Sequence, residues 1–517
     1  MTDRGLAINI DCDVLWYVSN MCGRDYSRFE DELRAYVRRC AGHGITDLLF
    51  NISGMCSCAP TKVLTYYGDN LRRTVERGVA VDYHDRDALL PYDAIARAGI
   101  DGYAVLLDES KKQGMNGWIS VRMNDCHDNG AFTSHMRGQL FYDALDNGWM
   151  LDDECVPPYF RRCLNYACEP VRRTMLAYIE EQVNHFDAYG LELDFQREIF
   201  CFKYTSCTGA ASIMNGFIAQ VHETLEKRGK ELGHPVKLAV RTLRDIEQSK
   251  VLGFDVRTWV KNGWVDVLVP SPRWETCDHA IPVADWKNMT AGTKTEVWVA
   301  QEVLCNVSDT AINVSFGFIT QTPETAKGFA AEYRAMDCDK IYLFNFFQTC
   351  GVNGMENGAF AERYDWCKKV WDGCADVASS LSGTRRHIAG YQDLGPVGYE
   401  KYRLFPLEVK GEASFTMNTA RIFPGDSVTV VLAFDKDCSA ELTVDGTKAE
   451  PIDVPADALF TACVEGLKNP ETKKIAREWA VPKAFDVKAC SSGDNRLLTV
   501  KAESAVIKYI EITVKHG

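Results

Sequence analysis

The stretch Gly190-Leu-Glu-Leu-Asp-Phe-Gln196 alternates apolar and polar side chains, so Glu192, Asp194 and Gln196 share one face of an extended segment. Leu191, Leu193 and Phe195 share the other. Carboxyl groups gathered on one strand face can serve as base, nucleophile or acid, depending on which stays ionised. The same alternation recurs along the chain. Ser120, Arg122 and Asn124 oppose Ile119, Val121 and Met123, and Glu296, Trp298 and Glu302 oppose Val297, Val299 and Val303. Asn9, Asp11, Asn51 and Arg241 fall on the polar parity of their own runs. Asn345 lies in a run that is apolar on both parities. Set side by side, these segments would aim a ring of charged and amide groups at one place.

Eight runs carry this signal: Leu6–Asp13, Thr46–Ser53, Gly117–Asn124, Gly190–Phe195, Lys237–Leu243, Val265–Val269, Glu296–Val303 and Lys340–Phe346. Helical periodicity fills the intervals, as in Arg28–Ala41 and Ala211–Lys230, and Glu169-Pro170 opens a helix running to about His185. Eight strands alternating with helices predict an α/β fold, a (β/α)8 TIM barrel. An open doubly wound sheet is the other arrangement, but no Gly-x-Gly-x-x-Gly follows the first run. In a barrel the alternate residues point inward and active sites gather at the C-terminal strand ends, where most of the polar residues above fall. Buried there, such groups cost several kcal/mol each unless they are used, as in an active site, or paired, as in a polar plug with Arg122 and Arg241 neutralising Glu192 and Asp194.

The texture changes after the barrel. Residues 376–400 are rich in Ser, Gly and Arg and read as a connector. Beyond them come short alternating runs, Ala413–Arg421, Ser427–Phe434, Ala440–Val444, Leu497–Ala502 and Val506–Val514, with turn pairs at Pro424-Gly425 and Asp445-Gly446. These predict a C-terminal β-sandwich. The expected domains are residues 1–380, a catalytic barrel, and 400–517, an accessory sandwich.

The chain has 517 residues, 46% of them hydrophobic and 25% charged, which excludes disorder and small disulfide-stapled scaffolds. Its net charge of -14 lacks the basic footprint of a nucleic-acid or anionic-membrane binder. The N-terminus shows no secretory pattern, and no apolar run approaches the roughly 18 residues of a membrane span. The 20 cysteines are scattered, and Cys56 and Cys58 lack the second pair that zinc would need. The expectation is a cytoplasmic protein with free thiols, no metal and no cofactor. Homo-oligomerisation is left open.

The segment from Leu164 through Glu169-Pro-Val-Arg-Arg173 to Gly190-Leu-Glu-Leu-Asp-Phe-Gln-Arg197 resembles the family-10-like glycosyl hydrolases of bacteria. Their pattern is a Pro-Glu-Val-Arg-like helix start, then Tyr-Asp-x-Asp-Gly-Ile-His-x-Asp-Tyr-x-Arg on the fourth strand. Gly190, Asp194 and Arg197 match it, whereas Tyr189 stands in place of Asp and Glu192 in place of His. The resemblance implies a glycosidase barrel active in carbohydrate metabolism.

Glycosidic cleavage needs two carboxyl groups, one donating a proton and one anionic. Asp194 is the first choice, as nucleophile or base, with Arg197 nearby to favour its charge. Glu302 on the seventh strand is the expected partner and Asp125 its rival, with Glu275 and Asp278 behind them. The substrate-binding candidates are Asp11, Asn51, Arg122, Asn124, His127, Glu192, Arg197, Arg241, Trp274, Trp298 and Asn345. The long segment Cys126–Asn165, holding His127, His135, Arg137, Trp149 and Tyr159, reads as a lid or a subsite wall. Arg122, Arg197, Arg241, Arg244 and Arg273 near strand ends suggest an anionic group on the glycan, with internal salt bridges as the alternative. The other function class is a degenerate barrel that binds carbohydrate without cleaving it.

Overall fold

In a computed structural model the described residues are 5–12, 14–22, 25–76, 89–126, 136–204, 208–273, 279–302, 304–306, 318–345, 360–390, 403–459 and 480–517. Eight strands, β1 (Leu6–Ile10), β2 (Ile45–Ser53), β3 (Asn116–Arg122), β4 (Gly190–Asp194), β5 (Lys237–Leu243), β6 (Val267–Ser271), β7 (Glu296–Glu302) and β8 (Lys340–Phe344), close into a barrel. The order around it is β1-β8-β7-β6-β5-β4-β3-β2, and the ladders from β2 to β7 are parallel. Each expected run thus overlaps a barrel strand, the sixth run ending two residues before its strand does.

The helices form for legible reasons. Phe29–Cys40 buries Phe29, Leu33, Tyr36, Val37 and Cys40, a helical stripe, and carries acids in its first turn and arginines in its last. Glu169–His185 starts with Pro170 in its first turn. Ala211–Leu232 stops at Gly233, whose φ of 77° a residue with a Cβ rarely adopts.

The chain forms two compact units. One comprises Ala7–Ser271 and Asp285–Trp298, the other Met1–Leu6, Pro272–Ala284 and Val299–Gly517. Within the first, the N-terminal ends of β3, β4 and β7 are floored by aromatic rings. Trp118 lies across Gly190, where a Cβ would sit 2.3 Å from the indole, so only glycine fits. Trp118 donates its indole N–H to Asp47 at 2.8 Å and meets Trp298 edge-on at 5.7 Å between centroids. Trp298 in turn donates to Glu296 at 2.7 Å.

The second unit holds an antiparallel sheet of β9 (Thr384–Ala389), β10 (Leu407–Asn418), β11 (Ser427–Phe434), β12 (Glu441–Val444), β13 (Thr447–Lys448), β14 (Glu450–Ile452), β15 (Val481–Val487) and β16 (Asn495–Lys515). β16 runs for 21 residues and changes neighbours midway. Its first half lies between β10 and β12, and its second between β9 and β11. Register shifts beside Val409 and Ala433 accompany the exchange. A strand shared in this way gives the expected sandwich, around a core that includes Val430, Leu432, Phe434, Leu442, Val500, Ile507 and Ile512.

The connector expected at 376–400 is corrected in part. Val377–Leu381 is helical and Thr384–Ala389 is a sheet strand. Its polar residues are buried because they are partnered: Arg386 pairs with Glu511 and Asp457, and the His387 ring meets Glu332. Gly328, on the helix Pro323–Ala335, packs so tightly on this strand that a Cβ would lie 2.0 Å from the carbonyl oxygen of Arg386.

Candidate active site

The registers of β3, β4 and β5 place Arg122, Asp194 and Arg241 in one row, with Ser120 and Glu192 one inward step below. All five side chains are buried. Asp194 is enclosed by donors. Nη1 of Arg241 lies 3.1 and 3.2 Å from its two oxygens, and Oδ1 also accepts from the backbone N–H groups of Gln196 (2.9 Å) and Arg197 (3.1 Å). The last two bonds fold the chain into a tight turn as it leaves the strand, a habit of aspartate side chains. Arg197 therefore meets Asp194 through its backbone, and the paired guanidinium at Asp194 comes from Arg241 on the neighbouring strand.

A second cluster surrounds Arg122. This guanidinium donates to Asp11 at 2.6 Å and to Asp125 at 3.0 Å, while Nε of Arg197 lies 3.9 Å from Asp125. Burial opposes charge on Asp11, but Arg122 and Arg197 outweigh it and hold the carboxyl below the usual carboxylate range. Asp11 keeps 14% of its side chain exposed and Asp125 none. Beside Arg197, Glu198 accepts from the Tyr159 hydroxyl at 2.6 Å. Burial, followed by the Glu198 charge, pushes the Tyr159 phenol far up. Arg122, Arg197 and Arg241 thus all face carboxylates of this chain, the internal pairing set against an anionic glycan above.

Deeper in the barrel, Glu192 accepts from Ser120 at 2.6 Å and Asn9 at 3.3 Å. Trp298 points inward as its parity requires, but it belongs to the aromatic floor and not to the rim where a sugar would stack. Asn51 accepts the backbone N–H of Ser53 at 2.8 Å. Asn124 donates to the carbonyls of Leu164 (3.0 Å) and Phe200 (2.9 Å) and accepts from the N–H of Leu164 (2.9 Å), so its amide is a clamp between loops.

Further bonds stitch Cys126–Asn165 to the loop after β4. Asp153 accepts the N–H of Tyr204 at 2.7 Å and Tyr159 holds Glu198, while just past the segment the Tyr166 N–H reaches the carbonyl of Cys201 at 2.8 Å. Within the segment, the N–H of Leu151 donates to the carbonyl of Cys163 at 2.9 Å, tying its described part back onto itself.

Glu302 is buried at the end of β7, and its carbonyl accepts from Gln321 at 2.9 Å. Asn345, just past β8, is buried with φ at 53°, a left-handed conformation that asparagine tolerates. Trp16 is half-buried on the helix Val14–Met21. His127, His135, Trp274, Glu275 and Asp278 lie outside the described residues. Sequence reasoning missed two participants. Glu198 directly follows the strand-four motif, and Ser271 ends β6, where its hydroxyl accepts from Nε of Arg241 at 3.1 Å. Among the described residues, no group of three or more His, Cys, Asp or Glu side chains is arranged to hold a metal ion.

No protein-family model matches the sequence, and no curated protein matches it. Solved structures align with the chain at low identity and low TM-score. A chitinase of Paenibacillus sp. aligns with 97% of this chain and 52% of its own, at 9% identity and a TM-score of 0.40. The chain therefore spans about half the length of that chitinase. Alpha-L-fucosidase isoenzyme 1 from Paenibacillus thiaminolyticus aligns over 97% of both chains, at 11% identity and a TM-score of 0.35. The PgaB glycoside hydrolase domain from Bordetella bronchiseptica covers 70% of this chain and 97% of its own, at 8% identity and a TM-score of 0.39. At these scores the barrel assignment rests on the chain's own strand order, and the family-10-like resemblance on the helix start at Glu169 and the strand-four motif.

Proposed function

We propose that this chain is a glycoside hydrolase in which Asp194 works as an anion, either the nucleophile of a retaining reaction or the base of an inverting one. The setting of Asp194 carries the reading. It is a carboxylate at the C-terminal end of a barrel strand, supplied with a guanidinium and two backbone N–H donors and buried with other carboxylates in the same barrel end. Groups this costly to bury concentrate where barrels do chemistry. Asp125, lying between Arg122 and Arg197, has the surroundings of an acceptor and not of a proton donor. Glu302, chosen by its strand parity, is therefore the acid to test. Because Arg122, Arg197 and Arg241 are engaged by internal carboxylates, the reading takes a neutral glycan as substrate.

The test is turnover of a panel of aryl glycosides and oligosaccharides by wild type and Asp194→Asn. The substitution keeps shape and removes charge, so kcat should fall by about a thousandfold or more. Near-normal turnover by Asp194→Asn would make the strand-four motif structural and end the assignment.

A further inference from the structure

Ser271 receives two hydrogen bonds in the buried end of β6. Its hydroxyl oxygen accepts from Nε of Arg241 at 3.1 Å, and its carbonyl accepts from Nε2 of Gln196 at 3.1 Å. Arg241 turns Nη1 onto Asp194, and the backbone N–H of Gln196 returns to Oδ1 of the same carboxylate. Asp194, Arg241, Ser271 and Gln196 therefore form a closed circuit across β4, β5 and β6, with all four residues at most 2% exposed.

We infer that Ser271 is a positioning residue for Asp194, acting through the Arg241 guanidinium. A planar guanidinium held at two nitrogens cannot rotate freely, so its contact with the carboxylate is fixed in direction as well as distance. Removing the hydroxyl leaves a buried Nε–H short of its acceptor, and recovering that bond requires the whole plane to turn away from Asp194. Ser271→Ala removes only this bond, because the carbonyl used by Gln196 belongs to the backbone. Ser271→Thr keeps the hydroxyl and restores it.

The activity readout rests on the glycosidase reading, and the design separates the two. Steady-state kinetics on wild type, Ser271→Ala, Ser271→Thr and Asp194→Asn are paired with crystal structures of wild type and Ser271→Ala. Ser271→Ala should lower kcat by about 10- to 100-fold with KM changed by no more than a few-fold, as expected for a misdirected reacting group. Ser271→Thr should recover most of the loss, and the Ser271→Ala structure should show Arg241 displaced from Asp194. Wild-type kcat in Ser271→Ala alongside an inactive Asp194→Asn overturns the positioning role. An active Asp194→Asn, or no turnover of any glycoside, overturns the glycosidase reading instead. The crystal structures then decide the inference, since an unmoved Arg241–Asp194 contact refutes it. Should Ser271→Ala fail to fold, Arg241→Lys keeps the charge without the plane. It should show the same fall in kcat, and full activity would refute the role.

Discussion

Nδ1 of His387 on β9 lies 2.6 Å from Oε1 of Glu332 on the helix Pro323–Ala335, and both side chains are at most 1% exposed. Burial, reinforced by the guanidinium groups of Arg385 and Arg496, holds the imidazole well below its ordinary value of 6.5, so it sits neutral beside Glu332. The unfolded chain takes up this proton near pH 6.5 and the folded chain does not. Stability is therefore complete above that pH and falls as pH drops towards the folded value. Thermal melts from about pH 7 to pH 5 should show this decline. His387→Gln should be less stable at pH 7 by about 1–3 kcal/mol, with a flatter profile over that range. An unchanged slope in the variant would assign the decline to other groups.

Glu302→Gln separates an acid from a bystander. If Glu302 protonates the leaving group, glycosides with poor leaving groups should lose about 100- to 10,000-fold in turnover. Activated aryl glycosides, which need little protonation, should lose much less. Equal losses across a leaving-group series would remove Glu302 from that role.

Gly190→Ala drives a methyl group into the Trp118 ring. Chemical denaturation should show a loss of about 1–3 kcal/mol or more. Because Trp118→Phe opens space at the same point, the two substitutions together should cost less than the sum of the separate losses. Strict additivity would mean that the ring does not press on Gly190.

The described cysteines carry free thiols of very different access. Cys155 is exposed, whereas burial pushes Cys56 and Cys374 up to about 12. Iodoacetamide on the native protein should modify Cys155 first and leave Cys56 and Cys374 intact until denaturant is added, read by peptide mass spectrometry. Denatured, unreduced protein should yield nearly all 20 cysteines to thiol titration. A large deficit would refute the proposal of a cytoplasmic location.

The barrel was legible because inward polar and outward apolar residues alternate in most of its strands, and that same parity identified Glu192, Asp194, Arg122 and Arg241. Parity gives direction but not height. It turned Trp298 inward without showing that it lies at the floor, near Glu296. It also cannot give the register between strands: Arg122 and Arg241 could be set against Glu192 and Asp194 as a group, but only the ladder shows that Arg241 meets Asp194 while Glu192 is held by Ser120 and Asn9. Ser271 was lost for a local reason. Proline usually ends a strand, and the sixth run was closed at Val269, yet Pro270 stays in the ladder opposite Thr242. β9 was lost because Arg385-Arg386-His387 looks like solvent-facing chain until its distant partners Glu511 and Glu332 are known.

β16 follows every other strand of its sheet along the chain, and four of those strands use it as a direct neighbour. On a ribosome, β9 to β12 therefore emerge with their intended partner still unmade. At synthesis rates of about 5–20 residues per second they wait for seconds with open hydrogen-bonding edges. The still unpaired arginines of β9, with Glu408, Lys410 and Glu412 on the outer positions of β10, would then guard nascent chains against sticking to one another, a burden that the completed sheet no longer reveals.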